Sequence, residues 1–131
     1  MSFLNKLLRK KVHHVLLVED DVPLRRFIAD RLIENGVEVI ETGDGIVAGQ
    51  IIAEQQPDCV VLDVMLPGKN GMQILAEMRA VDTQTPVVVL TTLSGEGGLR
   101  IEAKKHNAVF LNKVDTSLEI VIDTILHQLG D

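Results

Sequence analysis

The sequence predicts a doubly wound α/β domain, five parallel strands in one sheet with helices on both faces. Two observations predict it. Short apolar runs recur along the chain, and the first, HVLLV, is continuous rather than alternating, as strands are when both faces of a parallel sheet are covered. Between the runs lie longer segments whose apolar residues recur at helical spacing, so strand and helix alternate through five rounds. At 131 residues the chain is long enough for one domain with a real core and too short for two.

The elements follow in order. His14 to Val18 is the first strand, and Val22 to Asn35 the first helix, with Asp21 to cap it, Pro23 in its first turn and Gly36 to stop it. Leu24, Phe27, Ile28, Leu32 and Ile33 give that helix its apolar stripe. VEVIET is the second strand, and the helix from Gly45 to Gln56 ends at Pro57. DCVVLD is the third strand, followed by the turn LPGKNG and a helix from about Met72 to Val81. Pro86 opens the fourth strand, VVVLT. GLRIEAKKH is a short fourth helix, weakened by Gly95, Gly97 and Gly98 before it. AVFLN is the fifth strand, and Thr116 with Glu119 forms a capping box that opens a last helix to about Leu129.

Composition narrows the function classes. With no Trp or Tyr and only three Phe, the core is aliphatic. The single cysteine, Cys59, excludes an internal disulfide and falls in an apolar run, so it reads as a buried, inert thiol in a reducing compartment. Lys6, Arg9, Lys10 and Lys11 precede the first strand with no acid among them. Without them 9 basic residues face 19 acidic ones, a balance of −10, so the domain is a poor nucleic-acid binder. No stretch approaches the roughly 20 apolar residues of a membrane span, and the start lacks a signal peptide's pattern. The chain reads as a soluble cytoplasmic domain, residues 12–131, behind a basic amphipathic extension, residues 1–11. Phe3, Leu4, Leu7 and Leu8 share one helical face of that extension, which suits an acidic membrane surface or a partner's groove.

In sheets of this kind the active crevice lies beyond the carboxyl ends of the strands, where strand order reverses. Strand one ends in Glu19, Asp20 and Asp21, strand three in Asp63, strand four in Thr91 and Thr92, strand five in Asn112 and Lys113. Carboxylates without histidine or thiolate form a hard-oxygen site suited to Mg²⁺. A magnesium ion between them would relieve the repulsion that makes the VEDD run costly. Asp63 can attack phosphorus as a carboxylate nucleophile, with Thr91 and Lys113 binding phosphoryl oxygens.

These residues carry a resemblance to the response-regulator receiver domain, over residues 12 to 131. The family pattern is an acidic pair after strand one, a phospho-accepting Asp after strand three followed by x-x-x-P-G-x-x-G, a Thr or Ser after strand four and a Lys after strand five. Here those are Glu19 and Asp20, Asp63 in DVMLPGKNG, Thr91 and Lys113. The resemblance implies a flavodoxin-like sheet of order 2-1-3-4-5. It implies that Glu19, Asp20, Asp63 and the backbone carbonyl of Met65 hold Mg²⁺, and that a histidine kinase or phosphotransfer protein phosphorylates Asp63. Thr91 would then swing toward the phosphoryl group, and Phe110, at the family's aromatic switch position, would turn inward behind it. The surface of helix four, strand five and helix five would change shape for a downstream protein effector. The resemblance implies a signalling protein rather than an enzyme, either a single-domain regulator or the receiver of a longer transcriptional regulator.

Three departures stand out. Thr92 occupies a place that is usually very small. Val114 stands where a proline with a cis bond is usual, and since a non-proline cis bond costs roughly 3 kcal/mol, a trans bond and an altered Lys113 loop are expected. Met65 and Leu93, neighbours of the phosphoryl group, cannot orient a water by hydrogen bonding, so spontaneous loss of phosphate should be slow. The departures keep open a pseudo-receiver, an interaction module working without phosphorylation. Two enzyme readings fail. The glycines of ETGDGIVAG mimic a dinucleotide fingerprint, but Asp44 would repel a pyrophosphate and the run follows strand two. A haloacid-dehalogenase-type phosphatase needs a second Asp where Met65 stands.

Overall fold

A computed structural model describes Phe3, residues 12–94 and residues 96–130. The rest of the basic extension lies outside the described residues. Five strands form one sheet of order β2-β1-β3-β4-β5: β1 (His14–Val18), β2 (Glu38–Thr42), β3 (Cys59–Leu62), β4 (Val87–Thr91) and β5 (Ala108–Asn112). Every neighbouring pair is parallel. Among the described residues, five α-helices connect and follow them: α1 (Val22–Glu34), α2 (Gly45–Gln55), α3 (Gly71–Arg79), α4 (Leu99–Lys105) and α5 (Leu118–Gln128).

The continuous apolar strands serve two cores. Val15 and Leu17 of β1, Val61 of β3 and Val88 and Leu90 of β4 pack with Ile28, Ala29 and Leu32 of α1 and Val121, Ile122 and Ile125 of α5. Their alternates, Leu16, Val18, Val60, Leu62, Val87 and Val89, pack on the other face with Ala48, Ile74, Leu75, Met78 and Ala103 of α2, α3 and α4. Because successive side chains of a strand point to opposite faces, a run without polar gaps is what such a sheet requires. The chain leaves β1 toward β2 on one side and leaves β3 toward β4 on the other, so the crevice opens between the ends of β1 and β3.

Asp21 caps α1 as its sequence position implies, accepting from the Leu24 amide at 3.2 Å. The capping box at Thr116 is not formed. The Thr116 amide bonds back to the Asn112 carbonyl at 3.0 Å, which holds Thr116 in a turn, and Ser117 becomes the cap by accepting from the Ile120 amide. That displaces Glu119 from the third helical position, where a box would need it. The third helix begins at Gly71, capped by Asn70, and ends at Arg79, two residues short of the expected Val81. The fourth helix forms with only 7 residues and no side-chain cap, after two glycines at positive φ.

Arg79 fastens the far end of the sheet. It is buried, and its guanidinium donates to the carbonyls of His106 (2.5 Å), Asp82 (3.0 Å), Thr85 (2.8 Å) and Asn107 (3.2 Å), joining the exit of α3 to both neighbouring loops. A buried charge can be tolerated when its donors are used in this way. Arg79→Met leaves several carbonyls without a partner and should lower the unfolding free energy by about 3 kcal/mol, read from denaturant midpoints.

Cys59 is buried in β3, and burial, with a smaller push from Asp58, drives its thiol up to about 12. The thiolate is the reactive form. A disulfide reagent at mildly alkaline pH should therefore label Cys59 at the rate of unfolding, and rapid labelling of the native protein would show that β3 opens locally.

Candidate functional site

Local structure delivers the acids to one place. The Glu19 amide makes the last β1–β2 ladder bond, to the Thr42 carbonyl at 3.0 Å, and Asp20 follows as the chain turns into α1. The Asp63 amide bonds the Val18 carbonyl at 3.1 Å, so β1 and β3 end side by side. Lys113 is set by its own amide, which donates to the Thr91 carbonyl at 2.8 Å. An oxygen from each of Glu19, Asp20 and Asp63 lies within 4.8 Å of the others, and among the described residues this is the one such cluster. Glu19 is 2% exposed and Asp63 6%, whereas Asp20 faces solvent.

Lys113 is the cation between the two buried acids. Its ammonium lies 2.8 Å from Asp63 Oδ2 and pairs with Glu19 Oε1. Glu19 Oε2 accepts from the Asp21 amide at 3.1 Å, so both its oxygens are engaged. Asp63 Oδ1 keeps only a long bond, 3.3 Å, from the Met65 amide. Burial raises the Glu19 carboxyl above the usual range, against the pull of Lys113 and the Asp21 amide. For Lys113, burial acts downward, but the bonds to Asp63 and Glu19 outweigh it and leave its pKa above the ordinary lysine value. Three carboxylates against one ammonium leave two negative charges, the complement of one divalent cation. The donors are all carboxylate oxygens, the donor chemistry that suits Mg²⁺.

The turn after Asp63 is shaped by two glycines. Gly68 has φ +84°, as the Pro67-Gly68 turn requires. A Cβ on Gly71 would lie 2.0 Å from the Asp63 carbonyl oxygen, so only glycine lets α3 start against the acid's own backbone. Met65 is 61% exposed, and together with Leu93, Asp20, Val64, Leu66, Pro67 and Asn70 it lines a cleft at the site.

Thr91 is fully buried at the end of β4, with its Oγ1 accepting from the Leu93 amide at 3.3 Å. Thr92 is exposed. Phe110 is already inward, 7% exposed, with the Arg100 guanidinium 4.8 Å from its ring centroid. An inward turn of Phe110 as a response therefore has no outward starting point in this structure.

The bond between Lys113 and Val114 is trans. Where the sequence lacks a proline, Asn112 shapes the loop: its Oδ1 accepts from the amides of Val114 (2.7 Å) and Asp115 (3.4 Å), and its Nδ2 donates to the Leu93 carbonyl at 3.0 Å. Asn112 was visible as a strand-end residue, but nothing in its spacing announced this double role. Arg25 was missed as well. It donates to the Glu19 carbonyl at 2.6 Å and to Glu41 at 3.3 Å. Its signal was its place, one helical turn after the cap Asp21 and on the same side of α1.

Comparison with known proteins agrees with this fold. The family model for the response regulator receiver domain matches residues 15–120. The chain is 38% identical to response regulator MprA of Mycobacterium sp. (strain KMS) over 77 residues, which cover 59% of this chain and 34% of that protein. The match thus spans about a third of the length of such curated relatives. Among solved structures, the Francisella response regulator 1452 receiver domain superposes with TM-score 0.82 at 28% identity, covering 90% of this chain and 97% of that one. The BeF₃-activated N-terminal receiver domain of Klebsiella pneumoniae RstA superposes with TM-score 0.79 at 30% identity, covering 90% and 99%. With that family model spanning most of a five-stranded parallel sheet of order 2-1-3-4-5, the chain belongs to the response regulator receiver domain family.

Proposed function

We propose that the chain is a phospho-accepting switch of a two-component system, with Asp63 as the acceptor and a histidine kinase or phosphotransfer protein as the donor. The observation that carries this reading is Asp63 held by Lys113 beside two further acids at the carboxyl edge of the sheet. Lys113 holds Oδ2, leaving Oδ1 as the attacking oxygen. The oxygen–phosphorus bond forms as the phosphorus–nitrogen bond to the donor histidine breaks, and the imidazole nitrogen keeps that electron pair. Lys113 remains beside the acyl phosphate to offset its charge. Glu19, Asp20, Asp63 and the Met65 carbonyl are the residues to hold Mg²⁺, which when bound supplies charge neutralisation for the phosphoryl oxygens.

Thr91 gives up the Leu93 amide and turns its hydroxyl to the phosphoryl group, which alters the β4–α4 loop. Phe110 packs behind it, and the ring, already inward, is retained rather than recruited. Output runs through the α4–β5–α5 face, where Ile101, Val114, Leu118 and Ile120 are exposed apolar residues suited to a protein effector. In RstA the similar domain is an N-terminal receiver activated by BeF₃. Residues 12–131 form the receiver, and residues 1–11 are a separate basic extension that meets an acidic membrane surface or a partner.

Intact mass after incubation with acetyl phosphate should show one phosphoryl adduct that requires both Mg²⁺ and Asp63 and is absent in Asp63→Ala. Lys113→Ala should leave the protein folded enough to bind metal but reduce adduct formation by a factor of about 100, since it removes the one cation on the acceptor. No adduct with acetyl phosphate, phosphoramidate or kinases would make the chain an interaction module that works unmodified.

Loss of the phosphoryl group should be slow. Neither the Met65 thioether nor the Leu93 side chain can hold a water in line with phosphorus. The adduct should persist well beyond seconds in a mass-spectrometric time course, and decay within seconds would overturn the role given to these two residues.

A further inference from the structure

We propose that Arg25 is the positioning residue for the metal-binding acids, clamping the backbone between Glu19 and Asp20, and that Glu41 holds Arg25 in place. This rests on the reading of the acid cluster as a Mg²⁺ site. The β1–β2 ladder ends where the Glu19 amide reaches the Thr42 carbonyl. The Glu19 carbonyl is taken instead by Arg25 Nη1, at 2.6 Å. A carbonyl at a buried strand end needs a partner, and here that partner is a charged side chain, which makes the stronger kind of bond.

The clamp is anchored at its other side. Arg25 Nε donates to Glu41 Oε1 at 3.3 Å, and Arg26 pairs with the second oxygen of the same carboxylate. Arg25 and Glu41 are mostly buried, with side chains 18% and 19% exposed, while Arg26 is 52% exposed and also pairs with Asp30. Gly43 explains the fit: a Cβ there would stand 3.0 Å from Arg25 Nη1 and 3.3 Å from Asp20 Cα. Guanidinium and acid backbone are therefore packed together over a residue with no side chain. Arg25 fixes where Glu19 and Asp20 begin, much as outer-shell groups orient the ligands of other metal sites.

The sign of the effect separates this role from simple electrostatics. Removing a positive charge near three carboxylates should tighten a divalent cation if charge alone acts. Loss of the clamp should weaken it. The experiment is isothermal titration of Mg²⁺ alone into wild type, Arg25→Gln and Arg26→Gln, with thermal melts in chelator to follow folding. Arg25→Gln should raise the Mg²⁺ dissociation constant by about tenfold, at the low end for outer-shell ligand partners. Arg26→Gln removes the same charge and a partner of the same Glu41 but touches no acid backbone, so it should leave the constant unchanged or lower. Should Arg25→Gln not fold, Arg25→Lys takes its place, keeping the charge but losing the fork that joins carbonyl to carboxylate, and it too should bind more weakly. If wild type binds no Mg²⁺, the metal reading itself fails. If wild type binds and the Arg25 variants bind as tightly, the clamp is overturned and the metal reading stands.

Discussion

One ammonium group sits between two buried carboxylates, and the chemistry of this sheet edge depends on it. Lys113 pairs with Glu19 and Asp63, both nearly excluded from solvent. Without a cation those acids would repel each other, and burial would leave that repulsion unscreened. With it, Lys113 stays protonated and Asp63 is held at the crevice, while the cluster as a whole still lacks two positive charges. The ion pair and the acidic cluster proposed to hold a metal thus share the same atoms.

The rest of the fold serves to keep that group together. The acids end β1 and β3, and the lysine ends β5, two strands away across β4. Each strand is held from both sides by apolar packing, so the strand ends have little freedom to shift relative to one another. Specific polar contacts finish the work where apolar packing stops. Asn112 shapes the loop that carries Lys113 and reaches across to the Leu93 carbonyl, while Arg79 secures the opposite end of the same strands. Gly71 brings the start of α3 against the Asp63 backbone.

The departures from the family pattern look different once the loops are seen. Val114 removes a proline, and the Asn112 carboxamide supplies a turn by accepting two amides. Thr92, a bulky residue in a small-residue position, faces outward. Met65 and Leu93 do line the cleft beside Asp20, so of the three departures theirs lies at the acidic cluster.

The sequence by itself determined the class of fold, the count of strands, the cap at Asp21 and the group of Glu19, Asp20, Asp63, Thr91 and Lys113. The physical reason is local: a strand buried on both faces must be apolar throughout, so a polar residue is legible where the strand ends. The sequence offers Mg²⁺ as the cation for the VEDD acids; that Lys113 pairs with Glu19 was not legible, since it lies far along the chain and only the order of strands brings it there. The same holds for Arg25 on the Glu19 carbonyl and for Phe110 turned inward beneath Arg100. The start of the last helix also escaped local rules, because the Thr116 amide is claimed by Asn112 before it can open a cap. Contacts between residues distant in sequence depend on register and packing that no single segment encodes, and those only the tertiary structure decided.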